Sequence, residues 1–99
     1  MYEIKYATGV AKDLKHLTAY HRGQVLDKIE PQLRYEPARQ TRNKKICLGL
    51  AAPWQHEEPV WELRIGTHRV FYDVDEVAKT VTIRAVRYKP PHKTTEEIL

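Results

Sequence analysis

The stretch Val60–Val74, VWELRIGTHRVFYDV, decides the fold because it predicts a tight β-hairpin. Two runs that alternate apolar and polar residues, 60–65 and 68–74, are joined only by Gly66 and Thr67. A glycine at the first loop position suits a type II′ turn, whose twist matches that of paired strands. Because a two-residue loop fixes the register, Arg64 is predicted to lie directly opposite Arg69.

The predicted hairpin has an apolar face and a charged face, because side chains alternate along a strand. The apolar face, expected in the core, carries Trp61, Leu63, Ile65, Val70, Tyr72 and Val74. The other face carries Glu62, Arg64 and Arg69, and like charges directly opposite each other destabilise a sheet. We therefore expect an anion, such as a phosphate or a partner's carboxylate, at the arginine pair. The alternative is a solvated face on which Glu62 neutralises its neighbours.

Composition limits the classes of function. The 99 residues predict one domain spanning 1–99, and a net charge of +4 favours an acidic partner, either nucleic acid or an acidic protein segment. No apolar run has transmembrane length and no signal peptide is visible, which predicts a cytoplasmic protein without a membrane role. Cys47 is the single cysteine and is expected to be a small buried hydrophobe. The five histidines lack ligand spacing, so no metal is predicted.

Helical signals come before the hairpin. Tyr2–Tyr6 alternates and predicts a strand, and Thr8 is a possible cap for a helix to about Leu17. Thr18 is predicted to cap a second helix to about Tyr35, with Pro31 disturbing its last turn. The apolar stripe of the second helix is expected to comprise Val25, Leu26, Ile29 and Leu33.

Further strands flank the hairpin. Residues 44–50 and 80–87 predict strands, the latter with Val81, Ile83 and Ala85 inward and Thr82, Arg84 and Val86 outward. Thr94 and Glu97 fit a capping box for a final helical turn. The resulting order, β-α-α-β-β-β-β, predicts an α+β fold with an antiparallel four-stranded meander. The two helices are expected to cover one sheet face and to leave the arginines on the other, open face.

The hairpin and the following TVTIRAVRYK, residues 80–89, resemble the RelE/ParE superfamily of bacterial and archaeal toxins. The specific part is the pattern L-R-x-G-x-x-R-[VL]-x-Y, here Leu63–Tyr72, and the resemblance extends over the whole chain. It implies a RelE-like toxin domain. Members of the RelE branch are ribonucleases that cut mRNA on the ribosome without a metal or other cofactor, and so inhibit translation.

The resemblance also implies roles for individual residues. Arg69 resembles the family's catalytic arginine, and Arg64 would support it. Glu36, which precedes Pro37 in the loop after the helices, and Glu62 are alternative general bases. The candidates for the general acid are Tyr88, Lys89 and His92. RNA phosphates are expected to contact Arg64, Arg69, Arg84, Arg87, Lys44, Lys45 and Tyr88.

Departures from the RelE pattern leave other functions open. Val60 and Glu62 stand where the best-known RelE ribonucleases carry two lysines. The alternatives are a ParE-like inhibitor of DNA gyrase, which is not an enzyme, and a degenerate toxin that retains only antitoxin binding. In each case the resemblance implies a cognate, usually acidic antitoxin as partner.

Overall fold

A computed structural model describes residues 1–99 and shows an α+β fold, as predicted. The elements are β1 (Glu3–Tyr6), α1 (Val10–Lys15), α2 (Ala19–Leu33), β2 (Lys44–Ile46), β3 (Trp61–Ile65), β4 (His68–Asp75), β5 (Thr80–Tyr88) and a final 3-10 turn (Glu96–Ile98). In the final turn, the Thr94 backbone N–H donates to Glu97 Oε1 at 2.8 Å, as the capping box predicts. Neither helix combines the length and the apolar character needed to cross a membrane.

The five strands form one sheet in the order β1-β5-β4-β3-β2. Strands β2 to β5 make the predicted antiparallel meander, whereas β1 pairs in parallel with β5. A parallel pair needs a long crossover, and here the helices and the meander lie between the two strands. The predicted hairpin register is confirmed, with Arg64 opposite Arg69 and Ile65 opposite His68. Gly66 has a φ of +57°, the backbone conformation that this turn requires.

The main core lies between α2 and one face of the sheet. Val25, Ile29 and Leu33 of α2 are fully buried, whereas Leu26, expected in the same stripe, is exposed. Thr18 caps α2 as predicted, since its hydroxyl accepts a hydrogen bond from the His21 backbone N–H at 3.1 Å. The predicted cap of α1 was wrong, because this helix begins after Gly9 without a side-chain cap. Helix α2 continues through Pro31 and ends at Leu33, close to the predicted end.

A β-bulge in β5 changes which residues face the core. Tyr72 pairs with Ile83 but the preceding Phe71 pairs with Ala85, so Arg84 is an extra residue in β5. An extra residue reverses the alternation of side chains beyond it. Ala85, predicted inward, therefore lies on the opposite face, and Val86, predicted outward, packs in the main core.

The second sheet face is not open, contrary to the prediction. A smaller apolar cluster covers part of it, comprising Leu50, Val60, Phe71 and Ala85, with Cys47, Trp54, Ile98 and Leu99 packed against them. Strand β2 ends at Ile46, earlier than predicted, because the chain turns away after the Cys47 backbone N–H bonds Val60 O at 2.8 Å. The loop after β2 and the C-terminal residues thus frame the arginine pair and turn a flat face into a concave one.

Candidate active site

A polar pocket of about 280 Å³ lies on the framed sheet face. Its lining contains five cationic side chains, one carboxylate and no apolar residue: Arg42, Asn43, Lys45, Glu62, Arg64, Arg69, Lys89 and Thr95. Strands β2, β3 and β4 contribute the central residues, and the segments before β2 and after β5 close the sides. We call this the arginine pocket. Its charge makes it suited to an anion.

Arg69 is held rigidly at the base of the pocket. Its Nη1 donates to the backbone oxygens of Gly66 and His68, both at 2.9 Å, and its Nε lies 3.2 Å from Glu62 Oε1. The residue is only 8% exposed, and burial lowers the pKa of its guanidinium although Glu62 opposes this shift. Because these contacts occupy Nε and Nη1, Nη2 remains available for a bound anion.

Glu62 is the only carboxylate in the arginine pocket and is almost fully buried. Besides Arg69, it faces Lys45 Nζ at 3.7 Å, and both of its oxygens lie 3.4 Å from the Thr95 hydroxyl. Cys47 Sγ lies 3.6 Å from Oε2. These contacts compensate the cost of burying a charge and hold the carboxylate in one position.

Arg64 contrasts with its strand partner Arg69. Its side chain is exposed and makes no hydrogen bond or ion pair within the chain, while its backbone N–H donates to Asn43 O at 2.7 Å. The two arginines lie directly opposite each other on paired strands, and the positive charge of Arg64 contributes to the lowered pKa of Arg69. Glu62 therefore balances one arginine of the pair, and the other remains without a counter-ion. An anion between them would relieve the repulsion.

Two residues predicted for the site lie elsewhere. Glu36 is exposed and pairs with Arg39 at 2.9 Å, and the hydrogen bond from Arg39 lowers the pKa of its carboxyl group. Lys44 is buried and donates from Nζ to the backbone oxygens of Gln32 and Glu36, at 3.0 and 2.9 Å. Lys44 thus stabilises the end of α2, and burial lowers its pKa. Neither residue lines the arginine pocket.

The basic residues of β5 also form ion pairs with carboxylates of the chain. Arg84, the bulge residue, pairs with Asp73 at 2.7 Å, and Arg87 pairs with Asp13 of α1 at the same distance. Tyr88 and His92 are exposed and do not line the pocket, whereas Lys89 does and has no carboxylate partner. Of the residues predicted for the site, the structure therefore brings together Arg64, Arg69, Glu62, Lys45 and Lys89.

Sequence reasoning missed Arg42, Asn43 and Thr95 as lining residues. Arg42 and Asn43 precede β2, and the backbone bond between Asn43 and Arg64 holds them beside the hairpin. Thr95 reaches Glu62 because the C-terminal turn folds back over the sheet. The basic character of the loop could have indicated a role for Arg42. No sequence signal could have indicated Thr95, because its contact Glu62 lies 33 positions away.

Cys47 contacts Glu62 but is not suited to nucleophilic chemistry. Burial, reinforced by the nearby Glu62 carboxylate, raises the pKa of its thiol to about 12. The reactive form of a cysteine is the thiolate, which is scarce at neutral pH when the pKa is so high. The half-buried thiol, predicted to be buried, therefore serves packing and the Glu62 contact.

His68 lies behind the pocket in an aromatic cluster and is 3% exposed. Its ring centroid lies 4.9 Å from that of His21 and 5.6 Å from that of Tyr88. Burial lowers the pKa of His68, and the charges of His21 and Arg69 act in the same direction. The folded protein therefore favours the neutral imidazole.

This burial predicts acid-sensitive stability. The unfolded chain takes up a proton at His68 near pH 6.5 and the folded chain does so only at lower pH, so the free energy of unfolding should fall as pH drops from 7 to 5. His56 acts oppositely, because its hydrogen bond with the Trp54 carbonyl raises its pKa in the folded state.

Thermal unfolding at pH 7 and pH 5 tests this prediction. His68→Phe, which keeps an aromatic ring, should lose part of the acid-induced fall in Tm, and His56→Ala should show a larger fall than the wild type. An unchanged pH dependence in His68→Phe would contradict the assignment to His68.

The α+β fold is that of a class of small toxins. A family model described as the ParE toxin of the type II toxin–antitoxin system parDE matches residues 4–89. The chain therefore belongs to this family of type II toxins, within the RelE/ParE superfamily. No curated protein sequence matches the chain.

Solved structures agree with this membership. The RelBE2 toxin–antitoxin complex of Mycobacterium tuberculosis contains a chain 26% identical, with a TM-score of 0.67, over 89% of this chain and 98% of that one. The archaeal RelE–RelB complex of Pyrococcus horikoshii gives 24% identity and a TM-score of 0.67 over 94% of this chain and 98% of that one. The isolated Escherichia coli RelE toxin gives 16% identity and a TM-score of 0.59 over 98% of this chain and 94% of that one. The two matches below 25% identity show the shared fold alone.

Proposed function

We propose that this toxin is a metal-independent endoribonuclease that cleaves mRNA on the ribosome and so inhibits translation. The observation that carries the proposal is the arginine pocket itself, in which the available Nη2 of Arg69 and the unpaired Arg64 face one space beside a buried carboxylate. Arginine pairs bind phosphate oxygens in a fixed geometry and are suited to stabilising the charge that develops on a reacting phosphate.

Four residues of the arginine pocket would carry out the steps of the proposed reaction: Glu62, Arg64, Arg69 and Lys89. The RNA 2′-hydroxyl loses its proton to Glu62 and its oxygen bonds to the adjacent phosphorus. Arg64 and Arg69 stabilise the additional negative charge on the phosphoryl oxygens. The bond to the 5′-oxygen then breaks, and Lys89 donates a proton to that oxygen. The products are a 2′,3′-cyclic phosphate and a 5′-hydroxyl.

The proposal includes a cognate antitoxin. The RelBE2 and archaeal RelE neighbours were solved as toxin–antitoxin complexes. The net charge of +4 and the five cations of the arginine pocket favour an acidic segment of such a partner. An antitoxin that covers this pocket would exclude RNA from it. Because translated mRNA is the proposed substrate, we place the toxin in the cytoplasm.

A second function, inhibition of DNA gyrase without catalysis, is supported by a different observation. The family model that matches is that of ParE toxins, and Val60 and Glu62 replace the lysines of the best-known RelE ribonucleases. In that case the arginine pocket would bind an acidic protein surface. A toxin that retains only antitoxin binding would keep the same surface without activity.

Arg64→Ala is the cleanest variant for testing the phosphate role, because the Arg64 side chain has no partner within the chain to lose. A hydrogen bond to a charged group contributes roughly 1.5–3 kcal/mol, so cleavage should slow by about 10-fold to 100-fold without a change in Tm. Arg39→Ala, an exposed arginine outside the pocket, is the matched control and should retain full activity.

Induction of the chain alone in cells separates the two functions. The nuclease proposal predicts growth arrest with new mRNA 5′ ends inside translated frames, and fewer such ends in Arg64→Ala. Loss of negative supercoiling in a reporter plasmid, without new 5′ ends, would support gyrase inhibition and exclude the nuclease. Normal growth with neither effect would indicate a degenerate toxin.

A further inference from the structure

A second groove continues from the arginine pocket along helix α2. Its volume is about 230 Å³, and it is lined by Gln24, Lys28, Gln32, Asn43, Arg64, Ile65 and Gly66. Asn43 and Arg64 line both spaces, so a ligand could run from one into the other without a break. We call it the amide groove. It is smaller than the roughly 300–1000 Å³ typical of pockets for drug-sized ligands, and it suits a single ring system.

The wall formed by α2 is regular and fixed in place. Gln24, Lys28 and Gln32 follow each other at intervals of four residues and so form one row along the helix. Each precedes a fully buried residue of the core stripe, which places the row next to the sheet. Near Gln32 the helix is held by the bond from Lys44 Nζ to the Gln32 backbone oxygen at 3.0 Å.

Five polar side chains of the amide groove have no partner within the protein. The side chains of Gln24, Lys28, Gln32, Asn43 and Arg64 make no hydrogen bond or ion pair, although other polar side chains nearby, such as Lys44, do. A solvated helix face would also leave them unpaired. Here, however, the row faces the hairpin across a concave space whose floor includes the apolar Ile65 and the backbone of Gly66.

The chemistry of the groove indicates what it would bind. Three amides each offer a donor and an acceptor, which match the mixed edge of a nucleobase. The carboxylates of an acidic peptide would be matched by cations, and the groove has only two cations beside its three amides. Glutamine and asparagine pair in a bidentate manner with adenine, and proteins read single-stranded RNA through such base edges.

We propose that the amide groove binds an adenine base of RNA adjacent to the phosphate in the arginine pocket. The inference rests on the proposed ribonuclease function and adds the substrate preference of the same site. Gln24 and Gln32 contact the base edge, Ile65 lies beneath the ring, and Arg64 holds the phosphate that connects the two spaces. Lys28, which lies between the two glutamines in the row along α2, contacts the RNA backbone.

Binding of short 2′-O-methyl oligoribonucleotides tests the proposal without cleavage, because the methyl group blocks the attacking oxygen. The two probes are UUAUUU and UUUUUU, measured by fluorescence anisotropy. The wild type should bind the adenine-containing probe about tenfold more tightly. Gln24→Ala and Gln32→Ala should reduce this preference several-fold, because they should weaken the binding of UUAUUU more than that of UUUUUU. Gln55→Ala, at an exposed glutamine outside the groove, should behave as the wild type.

Three results would overturn the proposal. The first is that the wild type binds neither probe, or binds both equally. The second is that both variants keep the affinities of the wild type, and the third is that they lose affinity equally for both probes, which would assign the groove to the RNA backbone. Reduced binding of a polyglutamate peptide by Lys28→Ala, with no adenine preference in the wild type, would assign the groove to an acidic protein instead. Cleavage of mRNA without adenine preference would refute only the base site, whereas adenine preference without cleavage would refute only the nuclease.

Discussion

Arg69→Lys is expected to reduce RNA cleavage by about 100-fold to 1000-fold while the domain remains folded. Lysine keeps a positive charge beside Glu62 but has one nitrogen, so it cannot contact Glu62, two backbone oxygens and a phosphate together. The magnitude is that observed when one donor to the developing charge is removed from an active site. Single-turnover cleavage of ribosome-bound mRNA measures it.

The choice of lysine follows from the burial of the Glu62–Arg69 pair. Arg69→Ala would leave Glu62 almost fully buried with only Lys45, at 3.7 Å, as a cationic partner. Removing one member of a buried ion pair costs roughly 3–5 kcal/mol, so a loss of activity in Arg69→Ala could come from unfolding alone. Wild-type cleavage rates in a folded Arg69→Lys variant would refute a catalytic role for this guanidinium.

Glu62→Gln is expected to lower the cleavage rate by about 100-fold to 10,000-fold, the usual range for a general base. Glutamine has nearly the same shape and can still accept hydrogen bonds from Arg69 and Thr95, so the fold should persist. Removing a general base should change the shape of the pH–rate profile as well as the rate, whereas removing a residue that only orients Arg69 should lower the rate alone. A pH–rate profile therefore distinguishes a base from a residue that only orients Arg69.

Glu36→Gln is the matched control for that experiment, because Glu36 is the other carboxylate that the family resemblance suggests as a base. It is exposed, pairs with Arg39 and does not line the arginine pocket. We expect its activity to equal that of the wild type. Full activity in Glu62→Gln combined with loss of activity in Glu36→Gln would reverse the assignment and require Glu36 to move into the pocket.

The local parts of the fold could be predicted because their determinants are adjacent in sequence. A two-residue loop with Gly66 sets the hairpin register, and Thr18 caps α2 through a residue three positions away. The bulge at Arg84 could not be predicted in this way. It depends on the ion pair with Asp73 and on the apolar cluster around Phe71, both of which involve other parts of the chain.

The same distinction explains which site residues were predicted correctly in position. Arg64 and Arg69 face each other because of the hairpin alone. Whether a basic residue is available to a ligand depends instead on distant partners, such as Asp13 for Arg87, and on the backbone carbonyls that hold Lys44. Alternation along a strand indicates the face on which a charge lies but does not reveal its counter-ion.

Cleavage of an mRNA that carries a single 2′-deoxynucleotide tests the central claim most directly. Purified toxin is added to ribosomes programmed with this message or with the all-ribose message, and the product ends are analysed. We predict cleavage of the all-ribose message to a 2′,3′-cyclic phosphate and a 5′-hydroxyl, and no cleavage at the 2′-deoxy position. Equal cleavage of both messages, or no cleavage of either, would contradict the account.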